Sequence, residues 1–501
     1  MRGERPQGAL LRERTLTSVF WVLAVNVARA GLLFMVPWAV AWLGGPTEMG
    51  LAQLAWGVYA VALPVVSLGT RAAVLQRQEL SQSYLSSVFV VNLAMGALTG
   101  AVLALGAPWI AGIGDGDPRL VAVLRWMGAV CFVFSLTVVQ SSLLARRMEF
   151  RFLSLANLAG AGGGVAAGVV AALLGARAGA VGAGVAGYLV VSTTLLWIAG
   201  RWRPTLTFVP AEAMSAVRFG VTASLASFTF NLSMQLERFL FSALFGQAAL
   251  GLYGAARNVN RDTLRNLMKV SDDVLMPGLS ALQSDLGKAR EYYLKAMRYE
   301  FLAFAPAALF IAVFARDIVL LVYGPEWLEV VPLVQMLTPL VLFTITRHTV
   351  GAVFLSQGRP DVQLRWSILM VVLVAAYSLA GAPWGLFGAV TAVSTLEVVG
   401  WVISHHMANG LLELPFRRFL SNLATPLAAA LHFGAGLYLL KGVTASGSAD
   451  PSWPVLAAWA AGAVPLYAGV VHLLDAELSR SFWRTLADVL RSAAAGRGRS
   501  T

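Results

Sequence analysis

Apolar stretches of eighteen residues or more recur along almost the whole 501-residue chain, separated by short turns rich in Gly, Pro and Asp. About twenty residues rising 1.5 Å each cross a hydrocarbon core about 30 Å thick, so each stretch reads as a membrane span. In hydrocarbon the backbone must satisfy its own hydrogen bonds, which leaves a helix as the form for each segment. No run between the stretches is long or polar enough for a soluble domain. With 58% hydrophobic and 12% charged residues, the expected fold is an all-α polytopic membrane protein.

About fourteen spans are read, at 17–43, 48–70, 84–106, 120–145, 152–174, 179–200, 216–245, 248–282, 295–323, 327–356, 362–382, 384–408, 416–440 and 453–475. Basic residues sort by loop. One side carries Arg71, Arg77, Arg146, Arg147, Arg151, Arg201, Arg203, Lys288, Arg290, Arg359, Arg365, Arg417 and Arg418, and the other Arg119, Arg177 and Lys441. The positive-inside rule then puts both termini in the cytoplasm. It also accounts for the net charge of +12 without a nucleic-acid partner. The basic start MRGERPQGALLRER precedes an apolar run too long for a signal peptide, so it reads as a cytoplasmic tail. Cys131 is the single cysteine and lies in an apolar stretch, so no internal disulfide forms.

A repeat runs through the chain. Leu43-Gly44 followed by Gly50-Leu51 opens the second span, and Phe245-Gly246 followed by Gly251-Leu252 opens the eighth. The offset is six spans, an even number, so the expected halves are parallel repeats related by an axis along the membrane normal. The implied organisation is a tail at 1–16, a first lobe of six spans at 17–200 and a linker at 201–215. A second six-span lobe comes next at 216–408, then two further spans at 416–475 and a cytoplasmic tail at 476–501.

The span at 248–282 carries unusual charge. Arg257, Arg261, Arg265 and Lys269 recur every four residues, a stripe roughly 18 Å tall on one helix face. In lipid such a face must look into protein or water. The alternative is an amphipathic helix lying on the membrane surface; in that case every later loop would change sides and Arg359, Arg365, Arg417 and Arg418 would fall outside. The expected role is a basic cavity for an anionic substrate, with Arg29 from the first span and Arg238 from the seventh as further cations. Asp262 is placed to meet Arg265, and Asp272 and Asp273 to meet Lys269. Arg257 and Arg261 have no acidic neighbour at those spacings and are the expected anion holders. Glu237, Asp262 and Glu397 are candidates for ion coupling, against structural pairing between helices. Arg347 and His348 read as snorkelling residues, and His405 and His406 as interfacial. No cofactor is expected: there is no metal-ligand cluster, no phosphate loop with Gly-Lys-Ser/Thr, and no large polar loop to carry catalysis.

Several phrases resemble a known family. They are Leu43-Gly-Gly-Pro-Thr-Glu-Met-Gly-Leu51, Leu144-Ala-Arg-Arg-Met-Glu-Phe-Arg151, Trp202-Arg-Pro204, Leu250-Gly-Leu-Tyr-Gly-Ala-Ala-Arg257, Met276-Pro-Gly-Leu-Ser-Ala-Leu-Gln283, Tyr323-Gly-Pro-Glu-Trp327 and Gln357-Gly-Arg-Pro360. In order and spacing they are similar to polysaccharide flippases of the multidrug, oligosaccharidyl-lipid and polysaccharide exporter superfamily, of the colanic-acid-exporter type. The resemblance implies two six-helix lobes in a V around a central cavity, with alternating access by rocking. It also implies a polyprenyl-diphosphate-linked oligosaccharide moved from the inner to the outer leaflet of a bacterial inner membrane. Where such relatives often carry an aspartate in the seventh span, this chain has Glu237-Arg238. The implied protein is not an enzyme, and its partners are the lipid-linked anionic glycan, membrane lipids and glycan polymerase or assembly proteins. A peptidoglycan-precursor flippase and a non-transporting scaffold of a glycan-assembly complex remain as rivals.

Overall fold

The computed structural model describes residues 7–495, apart from 114, 148, 265–267, 269–274, 276–277, 348 and 445–451. No strand occurs among the described residues. The helices are α1 (Gln7–Ser67), α2 (Thr70–Gln76), α3 (Gln82–Gly112), α4 (Pro118–Arg146), α5 (Phe150–Leu173), α6 (Gly179–Ala199) and α7 (Pro210–Arg257), which runs into a π-helical turn at Asn258–Asp262. They continue as α8 (Leu286–Val313), α9 (Ala315–Val322), α10 (Val330–Arg347), α11 (Val350–Ser356), α12 (Pro360–Gly381), α13 (Gly385–Leu411), α14 (Phe416–Thr444), α15 (Trp453–Leu474) and α16 (Ala476–Ala495).

Eleven helical stretches among the described residues are long and apolar enough to cross a membrane. Three of them contain a sharp break at a glycine with positive φ: Gly45 (φ 75°) in α1, Gly246 (φ 78°) in α7, and Gly385 (φ 71°) between α12 and α13. Only glycine enters that region at little cost. The 61 residues of α1 would span roughly 90 Å if straight, several times a bilayer core, so the break divides it into two crossings. Counting both arms of each broken stretch gives fourteen crossings, as the sequence implies. Pro46 follows Gly45 at the head of the second arm, where a missing N–H costs nothing. Asp117 and Pro118 start α4 by the same logic, with the Asp117 carboxylate accepting from the Arg119 N–H at 2.8 Å.

The repeat is visible in the backbone. Gly45 and Gly246 share nearly the same φ and ψ, and the contacts beyond them are reciprocal. A Cβ on Gly50 would sit 1.8 Å from the Gln247 carbonyl oxygen, and one on Gly251 would sit 1.8 Å from the Pro46 carbonyl oxygen. The second arms of α1 and α7 therefore meet backbone to backbone in the self-complementary way of a two-fold contact. At the same end Asp115 accepts from the Gln247 N–H at 2.8 Å, and the Trp38 indole donates to the Val322 carbonyl at 2.6 Å. At the opposite end Ser224 donates to the Pro64 carbonyl at 2.8 Å, and Gly69 lies against Gly220. A single apolar core runs across this seam, from Leu51, Leu54 and Met127 to Phe241, Leu250 and Trp327.

α14 and α15 pack outside this frame on α8, through Phe433 and Tyr467 against Leu302 and Phe314. Beyond them, in the stretch read as a tail at 476–501, residues 476–495 form α16. Its Leu478 and Phe482 pack toward α8, and Ser481 meets the Tyr299 hydroxyl at 2.7 Å. Leu478, Phe482 and Trp483 against Arg480 and Arg484 give the helix one apolar and one basic side.

Candidate functional site

The bend at Gly246 decides what the charged residues do. Glu237 lies nine residues before it and Arg257 eleven after it, so the two arms carry them to the same depth. Both are buried, and Arg257 Nη1 lies 3.2 Å from Glu237 Oε2. Asp262, in the π turn, faces Arg257 Nη2 at 3.5 Å and Arg238 Nη2 at 3.4 Å. Arg238 also donates to the Gln235 side chain. Across the second half, Arg347 on α10 pairs with the buried Glu397 on α13 at 2.6 Å, and the Arg347 side chain is itself only 10% exposed.

A cavity of about 10 Å³, room for roughly one water, lies between Glu237 and Glu397. Tyr253, Thr344 and Val393 help to line it. Among the described residues, three guanidinium groups and three carboxylates thus form a membrane-embedded network of paired charges. Charges in such surroundings persist only when paired.

This corrects one expectation. Arg257 does not stand without an acidic partner: it holds Glu237 and Asp262. The reason is tertiary. A partner twenty residues away cannot be read from helical i+3 and i+4 spacings. The π turn at Asn258–Asp262 also interrupts the regular α-helical spacing directly after Arg257. The turn is pinned to α10, where the Asn260 amide donates to Thr338 Oγ1 at 2.8 Å and to the Val334 carbonyl at 3.2 Å. Arg261 is described in its backbone only, and Arg265, Lys269, Asp272 and Asp273 lie outside the described residues. Asp262 is engaged by Arg238 and Arg257, and its expected meeting with Arg265 lies outside the described residues. The surface-helix alternative fails for the described arm, since Leu250, Gly251, Tyr253, Gly254, Ala255 and Ala256 are all buried.

Arg29 is elsewhere. Half-buried on α1, it lies beside the Tyr188 hydroxyl of α6, which donates to Asn157 Oδ1 of α5 at 3.0 Å. Its Nε is buried without a hydrogen-bond partner, and no described carboxylate pairs with it. The structure therefore does not bring Arg29 and Arg257 together by any described contact; each serves its own half.

Two more readings change. Arg347 is not a snorkelling residue but the partner of Glu397; each looks lone in its own span. His405 is not interfacial. It is fully buried, with Nδ1 2.8 Å from the Tyr293 hydroxyl and its ring stacked on Phe419, whereas its neighbour His406 is exposed. His348 lies outside the described residues.

Residues 39–332 match the family described as "Polysaccharide biosynthesis protein". Among curated proteins, the chain is 23% identical over 428 residues to the lipopolysaccharide biosynthesis protein WzxC of Escherichia coli K12, covering 84% of this chain and 86% of that one. It is 23% identical over 449 residues to the succinoglycan biosynthesis transport protein ExoT of Rhizobium meliloti, covering 80% and 90%. Among solved structures, the lipid II flippase MurJ in an inward closed conformation superposes with a TM-score of 0.72 at 12% identity, covering 93% of this chain and 99% of that one. At that identity the likeness is one of fold.

Proposed function

The chain belongs to the polysaccharide biosynthesis protein family, and on that premise we propose that it is a flippase for a polyprenyl-diphosphate-linked oligosaccharide. It carries this repeat unit of a surface polysaccharide from the inner to the outer leaflet of a bacterial inner membrane. The two halves rock about the seam between α1 and α7, so that access alternates. The observation that supports this reading is the network of ionised groups on membrane-crossing helices beside that seam. Six charges at such depth are costly in a protein that only needs to sit in a membrane, and they mark a pathway or a coupling device.

The roles divide by geometry. Arg29, with an unengaged N–H, is the cation offered to the diphosphate; Arg261, Arg265 and Lys269 are further candidates from their sequence positions. Arg238 and Arg257 hold the second half together through Glu237 and Asp262. Uptake of a proton or sodium ion at Glu237, Asp262 or Glu397 would unbalance the network and favour one arrangement of the halves. The membrane potential supplies drive without ATP. At 100 mV each charge is worth about 2.3 kcal/mol, so two negative charges leaving an inside-negative cell gain roughly 4–5 kcal/mol. No covalent step is assigned to the chain, and glycan polymerase or assembly proteins are the expected partners on the receiving side.

Deletion of the gene tests the reading in cells. Lipid-linked precursor should accumulate facing the cytoplasm and surface polymer should disappear, both reversed by the intact gene. Normal polymer in the deletion strain would remove the assignment.

Orientation is tested separately. With Cys131→Ala as background, single cysteines at Asp117 and Glu326 should react with a membrane-impermeant maleimide from outside. One at Arg359 should react only after the cells are opened. The reverse pattern would invert the topology.

A further inference from the structure

A cavity of about 520 Å³ lies apart from the charges. It is a slot lined by Leu54, Val58 and Ala62 on the second arm of α1, Leu98 and Val102 on α3, and Phe239 on α7. Along α1 its lining runs from Leu54 to Val65, roughly 16 Å at the helical rise. Leu98 and Val102 are 56% and 60% exposed, so the slot opens sideways between α3 and α7, toward hydrocarbon in a bilayer. Thr99 and Ser242 are its only hydroxyl groups, and Ser242 already accepts from the Gln247 amide at 2.9 Å. Water needs two to four polar partners to settle in a cavity, so it does not fill this one. An empty apolar void of this size forfeits the packing contacts of every residue around it. What completes the slot is a hydrocarbon chain.

We propose that the slot receives the isoprenoid tail of the lipid-linked substrate; this rests on the flippase reading above. Two observations favour that tail over a resident lipid acyl chain. First, the walls come from both halves, with α1 and α3 on one side and α7 on the other. An occupant therefore sits in the joint that opens and closes, and a permanent lipid wedged there would oppose the motion, whereas a tail arrives and leaves with its headgroup. Second, the slot lies beside the charge network along α7. Phe239 lines the slot and packs over Gly57 beside Gln235, while its chain neighbour Arg238 belongs to the network. An amphiphile with a charged head and a long apolar tail matches that juxtaposition; a phospholipid keeps its head at the interface. α14 and α15 contribute nothing to the slot's lining.

The test uses the full-length protein in nanodiscs with two photoreactive lipids. One is a polyprenyl diphosphate carrying a diazirine on the tail; the other is a phosphatidylglycerol carrying it on an acyl chain. The isoprenoid probe should label peptides covering Leu54–Val65 and the Met95–Ile113 stretch, and unlabelled polyprenyl diphosphate should compete it away. Ala62→Phe and Val58→Phe fill the slot and should cut that labelling about fivefold or more, the scale of an overpacking penalty. Surface polymer should fall in cells carrying either variant. Leu105→Phe, on the 81% exposed outer side of α3, should change neither. Equal labelling by the acyl probe, or labelling confined to other helices, overturns the proposal. Should the filled variants fail to fold, the map on the native protein decides by itself. An unlabelled slot in a protein whose deletion still abolishes export removes the tail site and leaves the flippase reading standing; normal export on deletion removes that reading instead.

Discussion

Arg257→Gln should lower the stability of the purified protein by about 3–5 kcal/mol, because it strands buried carboxylates that a guanidinium had compensated. Arg257 is 2% exposed and faces both Glu237 and Asp262. Glutamine retains hydrogen-bonding capacity but not the charge. Adding Glu237→Gln should recover part of the loss, since removing both members of a buried pair costs less than removing one. Thermal unfolding of the two variants in one detergent checks this, with polymer export measured in parallel. Stability and export should fall together in the single variant. A single variant that folds normally yet exports nothing would return Arg257 to the role of a free anion holder, as its helical neighbours alone suggest.

The seam gives the second large effect. On Gly50 a Cβ would meet the Gln247 carbonyl oxygen at 1.8 Å and the carbonyl carbon at 2.7 Å, and neither can move without moving its helix. Gly50→Ala must therefore push the second arms of α1 and α7 apart at the end that carries Asp115. An overpacking cost of about 1–3 kcal/mol falls on the closed state alone and shifts the balance about 5–150-fold toward the state open at that end. Gly251→Ala should do the same against Pro46. Spin labels on the exposed Ala176 and Glu326, in the Cys131→Ala background, would report the change as a longer and broader distance distribution. Gly106→Ala meets nothing within 4 Å and should leave the distances alone. Unchanged distances in Gly50→Ala would mean that the arms do not meet as described.

The frame of the fold was legible because each part has a local cause. Apolar stretches of bilayer length specify the crossings, and turn glycines at Gly45, Gly246 and Gly385 mark the bends. Gly50 and Gly251 recur at matching places in the two halves because the same close contact is made twice. The site was less legible, for physical reasons that differ by residue. The partners of Arg257 come from a chain reversal at Gly246 and from a π turn, and neither leaves a mark at helical spacings. Arg347 and Glu397 sit fifty residues apart, and only packing of α10 against α13 pairs them. His405 stands next to the exposed His406 but faces inward, into aromatic neighbours from α8 and α14 that helical periodicity does not reveal. Arg29 stands out in the sequence as an arginine deep in an apolar span, and in the structure it lies half-buried beside Tyr188 with its Nε–H unpaired.

Reconstitution shows whether this protein itself moves the lipid. Purified protein in vesicles of bacterial phospholipid would be given a fluorescent polyprenyl-diphosphate disaccharide, with an impermeant quencher added outside. A flippase gives protein-dependent crossing: quenching should pass well beyond the outer-leaflet half, and should be reduced by Arg29→Gln and by the slot-filling Ala62→Phe. Quenching that stays at the level of protein-free vesicles, with an imposed potential and with proton and sodium gradients supplied, would contradict it and leave the chain as a scaffold for glycan assembly.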